Sequence, residues 1–161
     1  MSLATTDLSD AHPDAAVLAP IFRDFGAISG FHGRVVTLKI FEDNALLRST
    51  LETPGEARVL VVDGGGSMRC ALLGGMLAEL GRRNGWSGIV VYGCVRDVVE
   101  LAQQPIGIKA LAAHPRKSEK GLHSGQAGRV VEFAGVRIAP DNWLYADADG
   151  MLLASRRLHP E

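Results

Sequence analysis

An arginine followed directly by an aspartate, Arg96-Asp97, comes shortly after an apolar run, Ile89-Val90-Val91-Tyr92. Polar residues beyond the carboxyl end of a buried strand sit where open α/β folds bind small ligands. The forked guanidinium suits a carboxylate or a 2-oxo acid. The Asp carboxylate offers oxygen to a hard divalent cation, and Mg2+ commonly takes only one or two such groups while keeping several waters. A structural explanation competes with this one: Asp97 caps a short helix beginning at Val98, or pairs with Arg96 on the surface.

A second feature bears on that choice. Gly74-Gly75 interrupts an otherwise helical stretch, and each glycine costs roughly 1 kcal/mol relative to Ala inside a helix. A helix that starts at this pair accounts for both residues, because free N–H groups at a helix N-terminus bind anions and glycine lets a ligand approach closely. Close packing of the helix on a sheet is the other explanation.

Several other chemistries are disfavoured. Arg69 stands where the last Gly of both G-x-G-x-x-G and G-x-S-x-G would fall, and no Walker-type ending follows the glycine run Gly64-Gly65-Gly66. The five histidines, His12, His32, His114, His123 and His159, lack metal-ligand spacing and read as loop or surface residues. Lys39 and Lys109 lie in expected strands without companions, so neither is assigned a Schiff-base role. Two cysteines, Cys70 and Cys94, cannot form a disulfide framework and fit a reduced, cytoplasmic setting. With 17 Lys+Arg against 18 Asp+Glu, the chain carries no general electrostatic footprint for nucleic acid or an anionic membrane. No apolar run reaches the roughly 18 residues needed to span a bilayer, and the acidic beginning does not resemble a secretory signal.

The elements that must position these residues follow from periodicity. At 161 residues, 47% hydrophobic and free of repeats, the chain is expected to form one domain over 1–161. Arg34 to Ile40 reads as a strand, and Phe41-Glu42-Asp43-Asn44 opens a helix through Leu51. Arg58 to Val62 reads as a buried strand, Asp63 to Ser67 as a turn, Met68 to Arg83 as a helix, and Ile89 to Tyr92 as a second buried strand. This is a βαβ unit with parallel strands and a right-handed crossover. Gly93 to Asp97 is then a loop, Val98 to Gln103 a short helix, Gly107 to Leu111 a strand, and His114 to Gly128 a polar loop. Val130 to Phe133 with Val136 to Ile138 forms a hairpin, and Trp143 to Tyr145 with Met151 to Leu153 flanks an Asp-Ala-Asp-Gly turn. The expected class is α/β, with a βαβ core and hairpins toward the C-terminus.

The whole chain resembles the RraA-like family, which contains regulators of ribonuclease activity A and class II 4-hydroxy-4-methyl-2-oxoglutarate aldolases. The resemblance rests on Phe25-Gly26, Phe41 to Asn44, Val61 to Ser67, Ala71 to Gly75, Tyr92 to Asp97, Gly107 to Ala110 and Leu144 to Asp147. It implies a swivelling α/β/β domain assembled as a homotrimer. Aldolase-type members show Asp or Gly, twenty residues, then Arg-Asp, and the Gly form continues with two residues and an acid. Gly75, Arg96-Asp97 and Glu100 complete the Gly form.

By this resemblance Arg96 binds the pyruvyl group, Asp97 holds Mg2+ or Mn2+, and the backbone of Gly74, Gly75, Met76 and Leu77 contacts the substrate carboxylate. Glu100 positions water around the metal. The implied activity is a lyase that releases pyruvate through its enolate, from the branched hydroxy acid or by decarboxylating oxaloacetate. Regulator-only members lack the acid that follows the Arg, whereas Asp97 is present. The alternative from another class is a protein that binds and inhibits a ribonuclease E-type endoribonuclease, contacting the enzyme rather than nucleic acid.

Overall fold

The computed structural model describes residues 3–121 and 125–161, so His123, expected on a loop, lies outside the described residues. In chain order the elements are helix α1 (Thr5–Ala11) and strands β1 (Ala16–Val17), β2 (Arg23–Asp24) and β3 (Phe31–Lys39). Helix α2 (Ala45–Leu51), strands β4 (Val59–Asp63) and β5 (Ala71–Leu73), helix α3 (Gly75–Arg83) and strand β6 (Gly88–Val95) follow. The remainder is helix α4 (Val98–Leu101), then β7 (Gly107–Ala113), β8 (Gln126–Ala127), β9 (Val131–Phe133), β10 (Val136–Ile138), β11 (Trp143–Asp147) and β12 (Gly150–Ala154). Among the described residues, no helix is long and apolar enough to cross a membrane.

Strands β3, β4, β6 and β7 lie side by side and parallel. Antiparallel β11, β12 and β1 extend the sheet on one side and β2 closes the other. The central strands alternate between two buried faces. Leu60, Val62, Ile89 and Val91 meet the helices α2 and α3 through Leu47, Leu51, Leu77 and Ala78. Val59, Val61 and Val90 point the other way, onto the β9–β10 hairpin through Val131, Phe133, Val136 and Ile138. Burial on both faces is why these strands read as unbroken apolar runs. The resulting layers are helix, mixed sheet and hairpin, the α/β/β order implied by the family resemblance.

Several bounds shift by a few residues, and the expected loop His114 to Gly128 contains the short β8, which pairs with β3. Two differences lie at the candidate site. Met68 to Arg83 is not one helix: Ala71–Leu73 forms β5, parallel to β6, and the helix begins only at Gly75. Three fully buried apolar residues satisfy either period, and tertiary pairing decides for the strand. Gly93-Cys94-Val95 is not loop either, because β6 continues to Val95 with an irregular register against β7 after Val91. Only Arg96 and Asp97 stand between β6 and α4.

The histidines divide. His32 lies on β3 and stacks on Tyr145, with ring centroids 5.7 Å apart, so it is not a loop residue. His159 bonds Tyr145 Oη through Nδ1 at 2.7 Å, and the Leu158 N–H donates to the same oxygen at 2.8 Å. Tyr145 thereby pins the last turn of chain onto β11. Arg157 Nε donates to His159 Nε2 at 3.2 Å, which places the proton of the neutral ring on Nδ1.

Burial and then the Arg157 guanidinium hold His32 below the ordinary imidazole range; burial, His32 and Arg157 do the same for His159. A base depressed in the folded state is protonated first in the unfolded chain, so its contribution is present above the ordinary imidazole pKa and lost as pH falls toward the folded value. Urea unfolding is expected to show stability declining as pH falls below the ordinary imidazole value of 6.5, with a shallower slope in His159→Gln. An unchanged slope in that variant refutes the assignment.

Candidate active site

Beyond Val95 the backbone turns sharply. The Arg96 N–H donates to Leu73 O at 2.9 Å, tying this corner to β5. Asp97 then adopts a left-handed conformation, φ 58 and ψ 44, which costs a non-glycine residue about 1–2 kcal/mol and is best tolerated by Asp and Asn. Its side chain does not cap α4. Oδ2 instead accepts the N–H of Gly75 at 3.0 Å, across the chain, at the start of α3. The capping explanation for Asp97 therefore applies to a different helix from the one its sequence position suggests.

The two glycines acquire a reason from the same geometry. A Cβ on Gly74 would lie 2.8 Å from Asp97 Oδ2, and a Cβ on Gly75 would lie 2.0 Å from Glu100 Oε2. Neither residue is bare for the sake of helix-on-sheet packing; that function falls to Gly81, whose Cβ would meet Ile89 of β6 at 3.4 Å. The space that side chains at 74 and 75 would fill is taken by two carboxylates, one from the corner after β6 and one from α4. The N–H groups of Met76 and Leu77, in the first turn of α3, have no acceptor within the helix.

These residues border a cleft of about 140 Å³. Gly74, Gly75, Met76, Leu77, Arg96 and Asp97 all line it, and Glu100 stands beside Gly75 without lining it. Arg48, Lys117 and Lys120 also reach the wall, so cations predominate around the single lining carboxylate.

Two polar atoms of the wall are buried without a partner among the described residues: Asn44 Oδ1 and Ser118 Oγ. Asn44 is oriented by its own Nδ2, which donates to Leu72 O at 3.0 Å. A buried polar group left unpaired costs about 1–3 kcal/mol.

Sequence reasoning did not single out Arg48, Lys117, Ser118 or Lys120. The polar composition of His114 to Gly128 was the only signal, and no spacing marked Ser118. Asn44 lay within a segment that carried the family resemblance.

Other reactive groups stand apart. Lys109 is buried, with Nζ donating to Asp147 O at 2.6 Å and paired with Asp24 at 3.1 Å, so it is structural. Cys70 and Cys94 are free buried thiols, pushed up by burial.

A hard divalent ion fits the donor set. Asp97 offers an oxygen in the cleft with Glu100 beside neighbouring Gly75, and among the described residues no group of three or more His, Cys, Asp or Glu could hold a metal. One or two carboxylates with water completing the shell is a common arrangement for Mg2+.

A family model described as RraA-like (Aldolase/RraA) matches residues 5–153. The chain belongs to the RraA-like family. Within the family it is 57% identical over 160 residues to an Alkalilimnicola ehrlichii protein provisionally named 4-hydroxy-4-methyl-2-oxoglutarate aldolase, covering 98% of each chain. A Burkholderia mallei protein with the same provisional name is 55% identical, with 98% of this chain and 99% of the relative covered.

Among solved structures, the RNA-processing inhibitor RraA of Thermus thermophilis superposes with a TM-score of 0.94 at 48% identity, covering 100% of this chain and 96% of the other. A Geobacillus kaustophilus structure described as an S-adenosylmethionine:2-dimethylmenaquinone methyltransferase gives 0.93 at 42% identity, covering 98% and 97%. The family thus joins enzyme names and a regulator name on one fold.

Asp97→Asn keeps an acceptor for the Gly75 N–H and a residue that tolerates the left-handed backbone. Its thermal midpoint is expected within about 3 °C of the parent, corresponding to less than about 1 kcal/mol. A larger loss would show that the charge of Asp97 is itself structural.

Proposed function

We propose that this RraA-like protein is a divalent-metal-dependent lyase. It cleaves 4-hydroxy-4-methyl-2-oxoglutarate to pyruvate and decarboxylates oxaloacetate through the same pyruvate enolate. The observation that carries the reading is the placement of Glu100 Oε2 where a side chain at position 75 would otherwise lie, next to Asp97 at the start of α3. The provisional aldolase names of the relatives support the substrate class.

In this reading Arg96 and the N–H groups of Met76 and Leu77 bind the pyruvyl carboxylate and 2-oxo oxygen. Asp97 would hold Mg2+ or Mn2+, which when bound supplies Lewis acidity toward the developing enolate oxygen, and Glu100 would orient its water. Glu100, beside Gly75 but outside the cleft wall, takes the proton of the 4-hydroxyl through water as the C3–C4 bond breaks; the electron pair passes into the enolate and C4 leaves as the carbonyl carbon of a second pyruvate. A proton returned to C3 completes pyruvate. Oxaloacetate loses carbon dioxide to the same enolate with no hydroxyl proton to remove, so that reaction does not need the base.

Arg48, Lys117 and Lys120 on the cleft wall favour a second carboxylate. The exposed apolar rim of Met76, Val98 and Val99 is the surface a neighbouring subunit would cover in a homotrimer.

One comparison favours a second reading. The 48% identity to a protein described as an RNA-processing inhibitor supports binding to a ribonuclease E-type enzyme by protein–protein contact. The methyltransferase description of another neighbour finds no glycine-rich dinucleotide loop in this chain.

Pyruvate release with Mg2+ or Mn2+, and again with EDTA, tests the lyase. Asp97→Asn is expected to lose at least about 100-fold on both substrates. Glu100→Gln is expected to lose more on the hydroxy acid than on oxaloacetate. Gly75→Asp combined with Glu100→Ala returns a carboxylate to the same space and is expected to recover part of the aldol activity. No release above the metal-only background refutes the lyase, and capture of a ribonuclease E-type enzyme by the same preparation would then establish the regulator.

A further inference from the structure

At the opposite ends of the parallel strands lies a depression of about 380 Å³ that the reading above does not use. It opens where β3, β4 and β6 begin, and the candidate active site lies where β6 ends. Eight strand residues separate these levels, roughly 25 Å. Its floor is backbone: a Cβ on Gly33 would stand 2.5 Å from Ala57 O, so only glycine brings β3 this close to the turn before β4. That turn holds two consecutive non-glycine residues, Glu56 and Ala57, in the left-handed region at φ 54 and 59. Strain of this kind persists only where surrounding structure enforces it, and it concentrates at binding sites.

The walls are cationic. Arg34, Arg58 and Arg157 line the depression, with His32 and His159 between them and Glu56 as the one lining carboxylate. Arg34 and Arg157 both lie against the Trp143 ring, 5.2 and 5.3 Å from its centroid. Arg58 is fixed by donating Nε to Gly55 O at 2.9 Å and Nη2 to Pro54 O at 2.9 Å. The single acidic partner of Arg157 is the exposed Glu161, 3.6 Å away, and Arg34 has no ion-pair partner among the described residues. The His32 ring makes aromatic contacts but no hydrogen bond among the described residues.

We infer that this depression binds a phosphate dianion between Arg34 and Arg157, delivered as inorganic phosphate or as the phosphate of a small monoester. Three guanidiniums outnumber Glu56 and the exposed Glu161, and this surplus favours a ligand with more than one negative charge. Forked donors on β3 and the C-terminal segment, both beside Trp143, match an ion with several equivalent oxygens, whereas a monocarboxylate would occupy one fork; Arg58, committed to Gly55 O and Pro54 O, adds charge alone. Contact with the Trp143 indole restrains both side chains, which reduces the ordering required on binding. His159 already accepts from Arg157, so it orients that guanidinium rather than competing for the anion.

The two histidines report occupancy locally, and His114, near the other site, reports the cleft. Imidazole resonances of the full chain are followed during titration with inorganic phosphate, then methyl phosphate, then acetate, at constant ionic strength. Expected are saturable shifts at His32 and His159 with phosphate or its monoester. In the Arg34→Gln, Arg157→Gln double variant, apparent affinity should fall at least tenfold while pyruvate release is unchanged.

Binding of inorganic phosphate without methyl phosphate identifies the free ion as ligand; binding of both admits a monoester. Shifts confined to His114, equal affinity in the double variant, or acetate binding as tightly as phosphate would each overturn the inference. The same result follows if the double variant changes the native mass in solution, because the arginines then serve a subunit contact. A second variant, Arg34→Lys, keeps the charge but loses the fork and is expected to weaken binding severalfold without altering thermal stability.

Discussion

The contact on which this molecule turns is one hydrogen bond, from the Gly75 N–H to Asp97 Oδ2 at 3.0 Å. It joins the corner after β6 to the beginning of α3, two places separated by the whole helix and a strand. For it to form, position 74 must carry no side chain and Asp97 must accept a left-handed backbone. Each requirement costs stability locally, and neither serves packing. What they achieve together is a charged pair, Arg96 and Asp97, held at the open N-terminus of a nine-residue helix with its free N–H groups.

The surrounding fold supplies rigidity to that junction. β4 and β6 are buried on both faces, by helices on one side and the β9–β10 hairpin on the other. A strand fixed in this way delivers its last residues with little freedom, and β5 beside it fixes the Arg96 amide through Leu73 O. Precision at the site therefore comes from the sheet, while the site residues themselves sit in conformations that the sheet must hold against their own preference.

The βαβ core, the two C-terminal hairpins and the residues Gly74 to Leu77, Arg96 and Asp97 were readable from periodicity, glycine placement and the adjacency of two charges. Other features were hidden for physical reasons. Ala71–Leu73 is too short and too apolar for its period to separate strand from helix, and only its pairing with β6 decides. The helix α1 and the two-residue strands β1 and β2 leave no periodic signal at all. Glu100 was marked by its spacing, but that its carboxylate fills the space above Gly75 depends on the direction in which α4 leaves the corner. Ser118 and Lys120 come from a segment whose sequence resembles any polar loop, and their placement at the cleft depends on backbone contacts such as Ala71 N–H to Arg116 O, which no local pattern encodes. His32 gave no sign of its place on β3 because its stacking partner, Tyr145, is remote in sequence and approaches only when β11 pairs with β3, whereas His159 lies on a loop as expected.

The margins of the main sheet have a further meaning. Its path ends in β1 at one side and β2 at the other, each two residues long, and Pro20 lies between them in sequence. A margin so brief offers too few free backbone groups to template another chain, which is how β-rich proteins resist edge-to-edge aggregation. Any lasting association of this molecule must then be made by side chains on its faces and loops. Self-assembly and misassembly are thus separated by construction: one draws on surfaces that substitution can tune, and the other is denied a backbone to copy.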